Sequence, residues 1–125
     1  MTKKIYYHDT DCGGVVYYAN YLKYFEEART EFLRTKGLDI KKLSEEGILF
    51  VVKKVEIDYK SPARYGDTIE IITELSRLRN VSLEFTQQTT KEGTVLNLAK
   101  TILVCIGKDF LPRPLPDAII SLLKA

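Results

Sequence analysis

Histidine and cysteine are scarce in this chain of 125 residues, and their scarcity removes whole classes of chemistry. One histidine, His8, and two cysteines far apart, Cys12 and Cys105, make a poor ligand set for zinc, so no metal is expected. The chain is long enough to bury a real core without a staple, and the two cysteines are read as free thiols. Long apolar runs are missing too, since none approaches the roughly 20 residues that cross a bilayer, and no membrane span is expected. The start, MTKKIYYHDT, lacks the apolar segment and small-residue cleavage site of a secretory signal, which makes the cytoplasm the expected location. Excess charge is small, a net +2, and no basic stripe accompanies the aromatic residues, which argues against nucleic acid as a partner. That surplus is compatible with a polyanionic small molecule. With no repeat, linker or low-complexity segment, residues 1–125 read as one domain.

The hydrophobic pattern changes period along the chain. Residues 2–8 read as a short strand with Ile5 and Tyr7 on one face. From about Tyr18 to Lys36, Tyr21, Phe25, Ala28 and Phe32 recur at spacings of four, three and four, which makes one apolar stripe beside a charged row of Lys23, Glu27 and Glu31. Gly37 is placed to stop this helix, and Asp39–Glu46 suggests a shorter one ending near Gly47. Alternation then takes over: Val55, Ile57 and Tyr59 share a face, as do Ile69, Ile71, Thr73 and Leu75, and again Val81, Leu83 and Phe85. A hairpin turn at Lys91-Glu92-Gly93 leads into Val95–Ile106, with Leu98, Ile102, Val104 and Ile106 aligned on one side. Pro112, Pro114 and Pro116 rule out a further central strand, and Asp117–Leu123 suits a terminal helix. Helices followed by hairpin-linked strands make an α+β fold, with a curved antiparallel sheet that can bury one face on the long helix.

Tyr6–Thr30 concentrates the candidate chemistry. An acidic loop, the pair Gly13-Gly14 and an aromatic-rich helix follow one another directly, so Asp11 lies beside a helix N-terminus. Adjacent glycines allow close approach of a ligand, and a helix start offers unpaired N–H groups with partial positive charge. A carboxylate and amide donors so arranged suit attack on a polarised carbonyl.

The run Asp9-Thr10-Asp11-Cys12-Gly13-Gly14-Val15-Val16-Tyr17-Tyr18-Ala19-Asn20-Tyr21 resembles the signature of hot-dog-fold thioesterases of the 4-hydroxybenzoyl-CoA thioesterase type, including the bacterial Tol-Pal-associated acyl-CoA thioesterases. The resemblance continues through Glu27-Ala28-Arg29, Phe50-Val51-Val52, Tyr59-Lys60-Ser61-Pro62-Ala63-Arg64 and Pro112-Arg113, in order over nearly the whole chain. It implies a hot-dog fold and hydrolysis of an acyl-CoA to a free acid and coenzyme A, with no metal or redox cofactor. It also implies a homodimer or homotetramer, because this fold buries sheet edge and ligand site between subunits. Residue by residue, it makes Asp11 the nucleophile or general base and the Tyr18 amide the oxyanion donor, and it places Tyr7 near Asp11. Relatives of the Tol-Pal type commonly carry histidine where this chain has Tyr18; the backbone donor survives that change. Arg77, Arg79 and Ser82 carry over as contacts to the coenzyme A nucleotide, with Arg64 added, since guanidinium forks match phosphate oxygens.

Plainer readings compete with these. Asp9 is expected to order the loop, Cys12 to pack in it, and His8 to sit at the strand end. Glu27 and Glu31 read as solvated helix charges, although a branch of hot-dog thioesterases uses a helix glutamate, which makes Glu27 the residue to test if Asp11 fails. The alternative in a different class is a noncatalytic module that binds acyl-CoA or acyl carrier protein.

Overall fold

The computed structural model of the protein describes Met1–Ala125. In chain order the elements are β1 (Thr2–Lys4), a 3-10 turn (Tyr7–Asp9), α1 (Asn20–Thr35), α2 (Ile40–Glu45), β2 (Leu49–Tyr59), β3 (Thr68–Leu78), β4 (Ser82–Lys91), β5 (Thr94–Ile106) and α3 (Asp117–Lys124). The strands form one antiparallel sheet in the order β1-β3-β4-β5-β2. Breaks in register at Val52/Lys54, Leu75/Arg77 and Thr89/Thr90 are bulges that bend such a sheet. The α+β expectation is borne out, with one long helix against one face of the sheet.

Local sequence explains the ends of these elements. Gly37 and Gly47 follow α1 and α2 with φ of +84° and +82°, a conformation costly for any residue with a Cβ. Asp39 caps α2, its carboxylate accepting from the N–H groups of Lys41 and Lys42. The β4–β5 hairpin turns through Glu92 and Gly93, both at positive φ, as tight hairpin turns require.

The apolar stripe of α1 is wider than its period suggests. Tyr21, Phe25 and Ala28 are buried as expected, Phe32 is half-buried, and Tyr24, Leu33 and the charged Arg29 are buried with them. One cluster joins Tyr21, Tyr24 and Phe25 to Ile69, Ile71 and Ala63. A second joins Leu33 to Leu83, Phe85, Leu103 and the α3 residues Ile119 and Leu123.

Three expectations are corrected. The first strand ends at Lys4: the Asp9 carboxylate accepts from the Tyr6 N–H at 2.8 Å and the Asp9 N–H donates to the Tyr6 carbonyl at 3.0 Å, which turns the chain. Ile5 is therefore buried and Tyr7 exposed instead of sharing a face. Helix α1 starts at Asn20, so Tyr18 precedes it. In β5 the helix-facing residues are Asn97, Ala99, Thr101, Leu103 and Cys105, all buried, whereas Leu98, Ile102 and Val104 lie half-buried on the outer face. On the same side of the sheet Gln87 of β4 is paired from above, whereas the buried Asn97 amide of β5 has no partner within the chain. Gln87 of β4 accepts from Arg29 at 3.1 Å and donates to the Phe25 carbonyl and the Thr73 hydroxyl, each at 3.0 Å.

Candidate active site

Asp11 stands at the start of a tight loop closed by two backbone bonds. Its N–H donates to the Val15 carbonyl at 2.9 Å, and the Gly14 N–H donates to the Asp11 carbonyl at 3.0 Å. Gly14 has φ of +78°, which fits glycine. The Gly13 N–H donates to Asp11 Oδ1 at 2.8 Å, an Asx turn that fixes the carboxylate and leaves Oδ2 without a partner in the protomer. A Cβ at Gly13 would stand 3.2 Å from that same oxygen, so glycine here serves close approach.

The neighbouring carboxylate has a different environment. Asp9 is buried; burial pushes its carboxyl up, but the Tyr6 N–H, the nearby Tyr24 hydroxyl and the charges of His8 and Lys3 together hold it below the usual range. Its carbonyl accepts from Tyr17 N–H at 3.0 Å and from Asn20 Nδ2 at 2.9 Å. Asp9 thus ties the loop to the start of α1, which bears out its reading as a loop-ordering residue.

The start of α1 is open. Its N-cap is Ala19, and no side chain caps the helix. Asn20 N–H donates to the Tyr17 carbonyl and Leu22 N–H to the Ala19 carbonyl, but the N–H groups of Tyr18 and Ala19 have no acceptor within the protomer. Two consecutive amides at a helix N-terminus, beside an exposed carboxylate loop, form an electropositive spot of a kind that can receive an anionic oxygen. Asp11 accepts from Gly13 and not from these amides, so it does not cap the helix.

Strand β2 and the segment after it frame this spot. Val16 N–H donates to the Ala63 carbonyl at 2.8 Å, Ala63 N–H to the Tyr21 hydroxyl at 3.3 Å, and the Tyr59 hydroxyl to the Tyr18 carbonyl at 3.0 Å. Tyr18 also lies against Tyr17, with centroids 5.0 Å apart, and edge-on to Tyr59 at 6.3 Å. In the sequence Tyr59 is legible as a strand-face residue and as part of the family-resembling segment; its hydroxyl contact with residue 18 depends on tertiary structure.

The sequence-predicted residues fall into two groups. Asp11 and Tyr18 belong to the loop and helix start. Arg64 joins them, since it pairs with Val15 across an isolated bridge. Tyr7 lies just before the loop, and its ring packs edge-on against Tyr65 at 5.7 Å. Arg77, Arg79 and Ser82 line a hollow of about 180 Å³ with Lys53, Glu84 and Ile102. Lys53 escaped sequence reasoning because it occupies the bulge in β2, where alternation slips by one residue. Register places the groups at opposite ends of the sheet: Tyr59 of β2 is near the loop, while Val51 aligns through Val104 with Ser82. At about 3.3 Å per residue, that separation along β2 is roughly 25 Å. The largest hollow, about 490 Å³ between α1 and β3, includes neither group.

Glu27 is exposed on α1, in keeping with a solvated charge. Cys12 and Cys105 are both free, the first exposed and the second buried. No helix is long and apolar enough to cross a membrane.

Comparison with known proteins agrees with this architecture. The acyl-CoA thioester hydrolase YbgC of Escherichia coli is 43% identical over 120 residues, which cover 94% of this chain and 90% of that protein. Among solved structures, a hypothetical protein from Thermus thermophilus superposes with a TM-score of 0.95 at 30% identity, covering 99% of this chain and 95% of its own. A probable thioesterase from Bartonella henselae gives 0.88 at 35% identity, covering 93% and 97%. The family model of the thioesterase-like superfamily matches residues 6–123, from just before the Asp11 loop into α3, and the chain belongs to that superfamily, with its hot-dog fold.

Proposed function

We propose that the protein hydrolyses an acyl-CoA thioester to a free carboxylic acid and coenzyme A, with Asp11 as nucleophile or general base and the Tyr18 amide as oxyanion donor. The observation that carries this reading is the exposed, Asx-held Asp11 beside the uncapped start of α1, whose Tyr18 and Ala19 N–H groups lack acceptors. The likeness to YbgC, named an acyl-CoA thioester hydrolase, supplies the substrate class.

As general base, Asp11 takes a proton from water as the water oxygen bonds to the thioester carbon. The carbonyl electron pair moves to oxygen, where the amides receive it. Collapse breaks the C–S bond, and the thiolate leaves with the proton Asp11 had taken. As nucleophile, an Asp11 oxygen attacks the same carbon and expels the thiolate, and water then cleaves the mixed anhydride to regenerate the carboxylate. Neither route changes an oxidation state, so no redox cofactor is required, and coenzyme A enters as part of the substrate. Tyr7, just before the loop, orients the acyl end, with Arg64 flanking it. Arg77, Arg79, Ser82 and Lys53 supply cations and a hydroxyl for the nucleotide phosphates.

The same proposal makes the active unit a homo-oligomer. Strand β2 forms one sheet edge and leaves Val51, Val52, Val55 and Tyr59 substantially exposed. A two-fold contact through β2 pairs the strand antiparallel with its copy, so the Val51 end of one protomer meets the Tyr59 end of the other. One protomer's Asp11 loop then lies toward its partner's arginine group. Two free cysteines suit a reducing cytoplasm, where we place the protein.

The test is thiol release from short, long and aromatic acyl-CoAs. Turnover of at least one is expected. Coenzyme A binding with no turnover across the panel would replace the hydrolase by a noncatalytic acyl-CoA or carrier-protein binding module.

A further inference from the structure

Tyr59 belongs to neither of the two groups, yet its hydroxyl reaches the backbone immediately before α1. It ends β2, directly opposite Asn97 of β5, and donates to the Tyr18 carbonyl at 3.0 Å. That carbonyl shares its peptide unit with the Ala19 N–H, which lacks an acceptor. A hydrogen bond at the oxygen of a peptide unit polarises the unit and strengthens its N–H as a donor. It also fixes the plane of the unit, and with it the direction of the N–H.

Other groups leave this task to Tyr59. Helix α1 has no side-chain cap, so no local residue orients its first peptide units. The Leu22 N–H donates to the Ala19 carbonyl instead of the Tyr18 carbonyl. The Tyr59 ring is itself held, 5.9 Å from Tyr21 and edge-on to Tyr18. Immediately after it, the N–H groups of Lys60 and Ser61 both donate to the Leu96 carbonyl, at 2.8 and 3.0 Å, and pin the strand end.

We propose that Tyr59 is a positioning residue for the hydrolysis, holding the Tyr18 carbonyl so that the Ala19 N–H joins the Tyr18 N–H as a second donor to the oxyanion. This rests on the thioesterase reading above. The hydroxyl acts through the Tyr18–Ala19 peptide and touches no reacting atom. Since the oxyanion exists only during reaction, the contact acts on kcat and leaves substrate binding alone.

The experiment compares wild type, Tyr59→Phe and 3-fluorotyrosine at position 59, with Asp11→Asn alongside, using an acyl-CoA that the wild type turns over. Phenylalanine keeps the ring packing and deletes the hydroxyl; fluorination makes the hydroxyl a stronger donor at nearly constant shape. Outright removal of an oxyanion donor costs about 10²–10³-fold in kcat, so weakening and misaligning one is expected to cost about tenfold. The expected order of kcat is fluorotyrosine, tyrosine, phenylalanine, with KM constant within about twofold and the melting temperature unchanged. A hydroxyl that merely braces the fold would move the melting temperature and would not rank kcat by donor strength, and that result overturns the proposal. A Tyr59→Phe protein as active as wild type, beside an inactive Asp11→Asn, overturns it while leaving the thioesterase reading standing. An Asp11→Asn protein with full activity removes that reading and this inference together.

Discussion

Two aspartates two positions apart have opposite environments, and that contrast decides which of them is free to react. Asp9 is buried, and its carboxylate and carbonyl are committed to the loop and the start of α1. Asp11 is exposed and held by one N–H, with Oδ2 unpartnered. If the place of Asp11 matters, Gly13→Ala should disturb it, because the added Cβ would meet Oδ1 at 3.2 Å. A shift of a few tenths of an ångström should lower kcat roughly tenfold, since misplacement by about 1 Å can cost about 10²-fold. Steady-state kinetics with a melting curve checks this; equal losses in stability and activity would point to a loop that no longer folds. At the other end of the sheet, Arg79→Ala should raise KM for acyl-CoA more than it lowers kcat, because a remote binding group acts in ground and transition states alike. A fall in kcat at unchanged KM would contradict its assignment to the nucleotide.

At the scale of elements, one ion pair links the segment after β2 to the β4–β5 hairpin. Lys91 Nζ lies 2.8 Å from Asp67 Oδ1, and the other carboxylate oxygen accepts from Arg64 N–H at 2.8 Å. The Lys91 ammonium holds the Asp67 carboxyl below the usual range against the smaller opposing effect of burial, and the Lys91 ammonium is raised in turn. A carboxyl lowered on folding adds stability above its unfolded value and loses it as pH falls through the folded one. A lysine raised on folding adds stability below its unfolded value and loses it as pH rises through the folded one. Asp67→Asn should therefore lower the melting temperature at neutral pH by a few degrees at most, as the pair is partly exposed. The gap from wild type should narrow as pH falls below the ordinary aspartate value of about 3.9 and as it rises above the ordinary lysine value of about 10.4. A gap independent of pH would mean that the site acts by packing and not by charge.

Most elements were legible in the sequence because burial follows backbone period. The α1 stripe, both glycine stops and the inner face of β3 all show it, whereas β2, at the sheet edge, leaves Val55 and Tyr59 of its expected face exposed. The face of β5 was misread for a definite reason. Asn97 and Thr101 stand on the inner side, leaving the outer side with Leu98, Ile102 and Val104 more apolar than the face that packs on the helix. Arg29 was missed similarly, although its place four residues after Phe25 and four before Leu33 sets it on the buried side of α1. Its neutral partner Gln87 lies 58 positions away, beyond any local pattern. The loop of the candidate site was legible from its motif, whereas the contacts of Tyr59 and Lys53 arise only when β2 is laid into the sheet.

The whole molecule has its two candidate groups at opposite ends of the sheet and exposes Val51, Val52, Val55 and Tyr59 along the edge strand β2. Under the proposed function, both features are met by pairing two copies through that edge. Sedimentation should show a dimer or tetramer, and Val52→Lys, which puts a charge on the exposed edge, should shift the assembly toward monomer and lower activity in parallel. A fully active monomer would contradict this. Hydrolysis is expected to depend on Asp11, and the most direct test is kcat for the best acyl-CoA substrate with wild type and Asp11→Asn. Asparagine keeps the size and the Gly13 contact while removing the charge, so a fall in kcat of about 10²–10⁴-fold with an unchanged melting temperature is predicted. An Asp11→Asn protein that releases thiol at the wild-type rate would contradict a catalytic role for Asp11 and point to Glu27.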